Sequence, residues 1–134
     1  MKVTVLTGRL TRSTAASVGY DIYSEWDVLI PPQECRVVGT GLRTKMEGCF
    51  ALLQDRSGLA AKFKVSRRAG VIDPDYADEW RVILANEGLE AYQVRKGDRI
   101  AQVLFIPLFA VEVVGDGVTE SAAERSGGLG STGR

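Results

Sequence analysis

The 134-residue sequence contains no histidine, and this absence removes several kinds of active site. A Ser-His-Asp triad, a Cys-His dyad, a zinc site with histidine ligands and a histidine general base are all excluded. Seventeen basic and seventeen acidic side chains cancel to a formal charge of zero. Proteins that bind nucleic acid by neutralising phosphates are normally basic, so we expect no stable nucleic-acid binding. Any catalysis must depend on carboxylates, arginines, backbone amides or a bound metal ion.

Cysteines and long apolar runs are also scarce. The two cysteines, Cys35 and Cys49, match no zinc or redox spacing, and we expect free thiols in a reducing compartment. The N-terminus lacks the apolar core of a signal peptide, and the longest apolar stretch, residues 103–111, is far shorter than a membrane span. We therefore expect a cytoplasmic protein that binds no membrane, or a nuclear or host-cytosolic one if the source is viral.

The sequence has instead a series of short β-prone runs separated by Gly, Pro and Asp. This pattern predicts an all-β sandwich or barrel, because no segment shows the 3.6-residue apolar period of a long helix. The runs predicted as strands are residues 2–6, 27–30, 36–38, 49–54, 80–86, 99–106 and 111–114. One short helix is predicted around residues 59–63, where alanine and lysine favour it.

The C-terminal residues differ in composition from the rest of the chain. Residues 120–134 are rich in Ser, Ala and Gly, and Leu129 is almost their only large apolar residue. Such a segment buries too little surface to order itself, so it is either a disordered end or a segment that orders over a ligand. Successive glycine amides suit phosphate oxygens. We expect a β domain at residues 1–118 and a flexible tail at residues 119–134.

An arginine, a serine and a glycine lie where the strand predicted at 49–54 gives way to the helix. Arg56 supplies a fixed fork of donors for phosphate oxygens, and Ser57 adds a hydroxyl. Gly58 lets a ligand approach the backbone closely. The segment therefore suits an anion, and the alternative is an N-capped helix that carries a surface arginine.

A turn with two carboxylates lies between apolar runs at residues 70–76. Its Asp-Pro-Asp sequence has strong turn chemistry and places Asp73, Asp75 and Tyr76 close together. In a chain without histidine, a carboxylate held near a water is the leading candidate for a general base. The alternative is a hairpin turn in which Asp75 binds its own backbone, and this alternative fits Asp75 better than Asp73.

Gln102 is a polar residue within the strongest of the predicted strands. A buried amide needs hydrogen-bond partners, so its side chain either satisfies a neighbouring loop or faces a ligand. Just before this strand, we expect Asp98 and Arg99 to form a local ion pair. Asp21 is a further isolated carboxylate, in a glycine-containing loop at residues 16–22 that enters a strand.

Taken in sequence order, these pieces resemble the five motifs of the trimeric dUTP pyrophosphatase (dUTPase) family. The motifs cover nearly the whole chain and read GYDI at 19–22, RSGLA at 56–60, GVIDPDY at 70–76, GDRIAQ at 97–102 and RSGGLGSTG at 125–133. The resemblance implies a distorted jelly roll of the β-clip type that assembles into a homotrimer. Each active site would lie between subunits: one gives the first, second and fourth motifs, the next gives the third, and the last lends its tail.

The reaction implied by the resemblance is hydrolysis of dUTP to dUMP and pyrophosphate, which limits uracil incorporation into DNA and supplies dUMP. By the same resemblance, Asp73 would activate the water that attacks the α-phosphorus, and Tyr76 would pack on the deoxyribose. Asp21 would help to organise a Mg²⁺ ion through water. That ion would bind mainly to the substrate triphosphate, consistent with the few protein ligands that magnesium usually takes.

The other substrate-binding residues implied by the resemblance fall into three groups. The uracil edge would be read by Gly70, Val71, Ile72 and Arg81. The phosphates would be held by Arg56, Ser57, Gly58 and Gln102. The substrate would be closed in by the tail residues Arg125, Leu129, Gly130 and Ser131. Leu129 stands where the family usually has an aromatic residue that stacks on uracil, so we expect looser closure of the tail.

Two other functions stay open at this point. The enzyme dCTP deaminase shares the implied fold, but its relatives use a glutamate in the strand after the third motif, and residues 80–86 contain none. A regulatory protein that binds dUTP and then a protein partner belongs to a different class, although nothing in the sequence encodes a partner surface. Release of pyrophosphate or of ammonia distinguishes these functions.

Overall fold

The computed structural model describes residues 1–120 of the chain. This range is built from short strands and one short helix, which confirms the prediction of an all-β domain with a single short helix. The elements are β1 (Lys2–Thr7), β2 (Tyr20–Tyr23), β3 (Val28–Ile30), β4 (Cys35–Gly39), β5 (Arg43–Glu47), β6 (Cys49–Gln54), α1 (Ser57–Phe63), β7 (Val65–Arg68), β8 (Val71–Ile72), β9 (Arg81–Asn86), β10 (Tyr92–Val94) and β11 (Arg99–Pro107).

The described strands form two larger sheets and two strand pairs. The larger sheets have the orders β2-β11-β6-β8 and β4-β9-β7, and the pairs are β1-β5 and β3-β10. All of the pairings are antiparallel. Side chains alternate between buried and exposed along β5 and between buried and half-buried along β6. This alternation is expected when a sheet covers a core with one face.

The core lies between these sheets and takes side chains from most of them. Trp80 is fully buried, and its ring centroid is 6.4 Å from that of Phe105 on β11. Ile22 of β2, Leu84 of β9 and Val103 of β11 are also completely shielded from solvent. Because these residues are far apart in sequence, burial of apolar surface stabilises the long-range strand pairings rather than any single element.

The backbone conformation of the flanking residues, rather than side-chain capping, sets the two ends of helix α1. Its cap residue, Arg56, is extended and makes no side-chain capping bond, so the alternative of an N-capped helix is wrong. The helix ends at Lys64, which is left-handed with a φ of 57° and whose N–H donates to the carbonyls of Ala60 and Leu59. Leu59 anchors the helix in the core. No helix within residues 1–120 is long and apolar enough to cross a membrane.

The predicted strands agree with the observed ones where the sequence is apolar. The run at 49–54 coincides with β6, and the run at 99–106 falls within β11. The sequence does not predict β5 and β7, whose segments RTKME and VSRR are strongly polar. The predicted strand at 111–114 is wrong, because this described segment has no strand pairing and its valines are at least 65% exposed.

Two leucines give a matched test of the core. Leu84 is fully buried in β9, whereas Leu89 is 91% exposed in the loop that follows β9. We expect Leu84→Ala to lower the free energy of unfolding by about 2–5 kcal/mol through lost burial and the cavity that remains. Leu89→Ala should change it by less than about 0.5 kcal/mol. Urea unfolding at one fixed protein concentration measures both, and equal effects would contradict this assignment of the core.

Candidate functional site

A cleft of about 620 Å³ opens where β2, β6 and β11 meet the start of α1. Strand register creates it: on β11, the Cα of Gln102 is paired with Asp21 of β2 on one side and with Gln54 of β6 on the other. Neighbouring strands lie about 4.8 Å apart, so these residues form one row across the sheet. Ser13, Ser17, Asp55 and Ser57 add further polar side chains to the lining, and Gly19 lies among them.

Asp21 lies between two guanidinium groups beside the cleft. Its Oδ1 is 3.8 Å from Nε of Arg56, and its Oδ2 is 3.8 Å from Nε of Arg99. The Asp21 side chain is 18% exposed, so solvent screens the cluster only in part. One carboxylate between two guanidinium groups leaves a local positive charge that suits an anion.

The ion pair expected between Asp98 and Arg99 is wrong. Among the described residues, Asp21 is the carboxylate partner of Arg99, and Oδ2 of Asp98 instead accepts the backbone N–H of Arg95 at 2.9 Å. Asp98 precedes the strand and closes the turn before it, whereas Arg99 is the first residue of β11 and reaches across to β2. The sequence therefore identified neither Arg99 as a site residue nor its partner, although it lies within the fourth motif.

Arg56 and Arg99 also border a second cavity of about 500 Å³ on the α1 side. Lys62 of α1 adds a third cation there, and Phe63 and Tyr92 supply an aromatic wall with ring centroids 4.9 Å apart. Burial raises the pKa of Tyr92, and the nearby Asp98 carboxylate raises it further. Positive charge thus extends from the cleft toward the helix.

Gln102 is held by the loop that follows β6. Its Nε2 donates a hydrogen bond to the backbone carbonyl of Asp55 at 2.9 Å, and its side chain is half-buried. The expectation that a neighbouring loop satisfies this amide is confirmed. An amide nitrogen carries two donors, so the second Nε2 hydrogen stays available to a ligand.

Tyr23 of β2 is paired with Arg99 of β11 and so lies beside the cluster of Asp21, Arg56 and Arg99. A hydrogen bond with the Thr11 hydroxyl is the main cause of a lowered pKa of Tyr23, burial acts in the opposite direction, and Arg99 adds to the lowering. The guanidinium carbon of Arg9 lies 3.7 Å from the centroid of the Tyr23 ring. A cation at this distance from a tyrosine face is attracted to the ring.

The third motif does not reach the cleft of its own chain. Val71 and Ile72 of β8 pair with Leu52 and Ala51, so the antiparallel strand runs away from Gln54. Ala51 and Gln54 are three positions apart on β6, which corresponds to about 10 Å along the strand. Asp73 and Tyr76 follow beyond that point, and no residue of 70–76 lines the cleft.

The connection after β8 is an arch between sheets, so the hairpin that the sequence left open as an alternative does not form between β8 and β9. β8 belongs to the four-stranded sheet, whereas β9, which begins at Arg81, belongs to the three-stranded sheet. Within the arch, the Tyr76 N–H donates to the carbonyl of Asp73 at 3.1 Å. The Tyr76 hydroxyl donates to the carbonyl of Glu79 at 2.7 Å. These bonds hold Asp73 and Tyr76 in one compact turn.

The structure thus brings together part of the expected site. Asp21, Ser57 and Gln102 line one cleft, and Arg56 and Gly58 border the adjoining cavity. The expected uracil-reading residues and Asp73 lie elsewhere on the chain. The tail residues expected to close the site, Arg125, Leu129, Gly130 and Ser131, lie outside the described residues. The motifs predicted the cluster. Gly19, which begins the first motif, and Asp55, which immediately precedes the second, were not expected as site residues, yet both line the cleft.

Comparison with known proteins gives one consistent result. The sequence model of the family described as dUTPase matches residues 8–133. The chain is 43% identical over 125 residues to the mitochondrial deoxyuridine 5'-triphosphate nucleotidohydrolase of Homo sapiens, covering 92% of this chain and 50% of the relative. It is 39% identical over 126 residues to the Saccharomyces cerevisiae protein of that name, covering 92% of this chain and 85% of the relative. The chain thus spans about half the length of the human relative.

A solved structure supports the same relationship. A mutant dUTPase from phage phi11 of S. aureus, reported with the coordination of a structural Mg(II) ion, superimposes with a TM-score of 0.77. The two are 25% identical, and the match covers 90% of this chain and 98% of the phage protein. With this similarity, the expectation of a distorted jelly roll is confirmed.

The hydrogen bond between Thr11 and Tyr23 can be tested by titration. Thr11→Val removes the largest cause of the lowered pKa, so we expect the pKa of Tyr23 to rise toward its ordinary value of 10.0. The phenolate absorbance followed against pH measures this change, and Tyr23→Phe identifies the titration of this residue. Thr14→Val, which removes an exposed hydroxyl bonded to Ser17, is the control. An unchanged Tyr23 titration in Thr11→Val would contradict the assignment.

Proposed function

We propose that this chain, which belongs to the dUTPase family, hydrolyses dUTP to dUMP and pyrophosphate. Such an activity limits uracil incorporation into DNA and supplies dUMP. The observation that carries the proposal is the cleft itself, where Asp21, Ser57 and Gln102 come from three separate motifs and meet beside two arginines. This arrangement offers cations, a hydroxyl and an amide donor to a chain of phosphates, as binding of a nucleoside triphosphate requires.

In the proposed reaction, water attacks the α-phosphorus and the bond to the oxygen that bridges the α- and β-phosphates breaks. Asp73 accepts the proton that the attacking water loses, and pyrophosphate departs. The substrate phosphates are held by Arg56, Ser57, Gly58 and Gln102. The protein thus contributes position and charge rather than a covalent intermediate.

We propose that the active site is shared within a homotrimer. The separation of Asp73 from the cleft of its own chain supports this arrangement, because the base must then come from a neighbouring copy. In each site, one subunit gives the first, second and fourth motifs, the next gives the third, and the last gives its tail. Residues 1–118 form the β domain in this scheme, and residues 119–134 close the neighbouring site.

An exposed apolar segment at residues 108–114 supports assembly. Leu108, Phe109, Val111, Val113 and Val114 are 57–78% exposed in the single chain. Contiguous exposed apolar surface usually marks a contact with another protein. A second and third copy of this chain would remove it from water.

The uracil and the sugar are assigned to the third motif. β8 is the terminal strand of its sheet, so its outer edge faces away from β6 and can offer backbone groups to the base. Val71 is 63% exposed, which leaves this edge accessible. Gly70, Val71, Ile72 and Arg81 are proposed to read the uracil edge. Tyr76 lies in the following turn and is proposed to pack on the deoxyribose.

The residues present fit a magnesium ion that is carried mainly by the substrate. Asp21 offers hard carboxylate oxygens at the cleft, the donor type that Mg²⁺ prefers, and Mg²⁺ usually keeps several waters. Among residues 1–120, no group of three His, Cys, Asp or Glu residues is placed to hold a metal. We therefore assign Asp21 an indirect contact through water. When bound, the ion would neutralise charge on the triphosphate.

We also propose a cytoplasmic location, or a nuclear or host-cytosolic one for a viral source. Both cysteines are free: Cys35 is exposed and Cys49 is buried. Free thiols are usual in reducing compartments.

A substrate panel tests the proposed activity. With dUTP, dCTP and UTP supplied separately with Mg²⁺, we expect pyrophosphate from dUTP alone and ammonia from none. Ammonia from dCTP would indicate a deaminase instead. Tight binding of dUTP without turnover would indicate a regulatory protein. Pyrophosphate and ammonia are measured in the same reactions, with protein-free samples as the blank.

The two aspartates of one turn give a test of the base. Asp73→Asn cannot accept the proton, so we expect kcat to fall by about 10²–10⁴-fold. Binding of a nonhydrolysable dUTP analogue should persist, because the phosphate-binding residues are unchanged. Asp75→Asn, an exposed residue two positions further on, is the matched control and should retain activity. Near-normal turnover by Asp73→Asn would remove Asp73 as the base.

A further inference from the structure

Gly19 lies against the side chain of Gln102. A Cβ added at Gly19 would be 2.2 Å from Oε1 of Gln102 and 3.1 Å from its Cδ. Contacts of a Cβ below 3.0 Å are essentially never found, so a side chain at this position would have to displace the amide. Gly19 is not among the described glycines with positive φ, so its backbone conformation is open to alanine. A glycine is therefore required at position 19 because any larger residue would occupy the space of the Gln102 side chain.

The opposite side of the amide is fixed by Asp55. Nε2 of Gln102 donates to the Asp55 carbonyl at 2.9 Å. Asp55 is itself held in place by its side chain, since its Oδ1 accepts the backbone N–H of Arg67 at 2.6 Å. The backbone of Gln102 is fixed by pairing with β2 and β6. Gln102 is thus confined between the Asp55 carbonyl and the bare backbone at Gly19.

We propose that Gly19 is a positioning residue for Gln102. This inference rests on the proposed function, in which Gln102 holds a substrate phosphate. In the observed orientation, one Nε2 hydrogen binds Asp55 and the other is left for an anion, while Oε1 lies over Gly19. A methyl group at position 19 forces the amide to rotate, which breaks the bond to Asp55 and can turn the oxygen toward the phosphate. An amide oxygen is an acceptor only and repels an anion.

The proposed effect is local because the colliding atom is the end of a flexible side chain. At Gly8, by contrast, an added Cβ would meet the Gly41 carbonyl oxygen and the Leu42 Cα at 2.8 Å, and φ is 76°. Substitution at Gly8 would therefore disturb the backbone, whereas substitution at Gly19 moves a side chain. We expect Gly19→Ala to leave the urea unfolding midpoint unchanged within error.

A double-mutant cycle tests the coupling. The variants are Gly19→Ala, Gln102→Ala and the two combined, compared for kcat, KM and affinity for a nonhydrolysable dUTP analogue. We expect Gly19→Ala alone to weaken analogue binding about tenfold, the effect of losing one hydrogen bond to a charged group. In the Gln102→Ala background, the same substitution should change binding less than about twofold, because no side chain remains to be displaced. Additive effects would overturn the proposal.

The control is Gly117→Ala, since a Cβ at Gly117 would meet nothing within 4 Å and this glycine is outside the site. It should bind the analogue as the parent protein does. Equal loss from Gly117→Ala and Gly19→Ala would also overturn the proposal.

A structural measurement separates failure of this inference from failure of the proposed function. The side-chain amide signal of Gln102 can be assigned by NMR from its loss in Gln102→Ala. We expect Gly19→Ala to shift that signal, with or without nucleotide. An unshifted signal overturns the positioning role even if dUTP is hydrolysed. A shifted signal in a protein that neither binds nor hydrolyses dUTP supports the contact and rejects the proposed function.

Discussion

The pairing of β11 with both β2 and β6 is the constraint on which the site depends. Ala101 and Val103 are fully buried, whereas Gln102 between them faces the cleft. Side chains alternate along a strand, so a slip of one residue would carry Gln102 into the core and its two apolar neighbours out of it. Burial of apolar surface therefore fixes the register. The register in turn places Gln102 between Asp21 and Gln54.

Local sequence predicts the strands that contribute most to the core and fails where pairing supplies the stability. The apolar run at 49–54 is found as β6, but β5 and β7 are polar and form because β1 and β9 pair with them. The valine-rich run at 111–114 is the opposite case: its residues favour a strand, but it has no pairing partner among the described residues and forms none. Strand propensity reports how well a side chain fits a half-buried sheet, and a sheet needs a neighbour.

The motifs predicted which residues meet but not how they meet. Asp21 and Gln102 are 81 positions apart, and only the order of the motifs suggested their contact; the register explains it. Asp98 and Arg99 are adjacent, yet the turn holds the Asp98 carboxylate on the Arg95 N–H while Arg99 reaches Asp21. Asp98 belongs to the turn and Arg99 begins the strand, so closeness in sequence is a poor guide to pairing at a strand end. Gly19 is a similar case, because its role follows from a side chain in another strand.

The neutral, histidine-free composition suits this kind of site. Asp21 pairs with both Arg56 and Arg99, so each guanidinium group has a carboxylate partner when no anion is bound. With two cations and one carboxylate, the cluster as a whole is positive. Arginine is not deprotonated in proteins, and no histidine is present to change charge near neutral pH. A strongly anionic ligand needs this local charge, which a net charge of zero for the whole chain does not prevent.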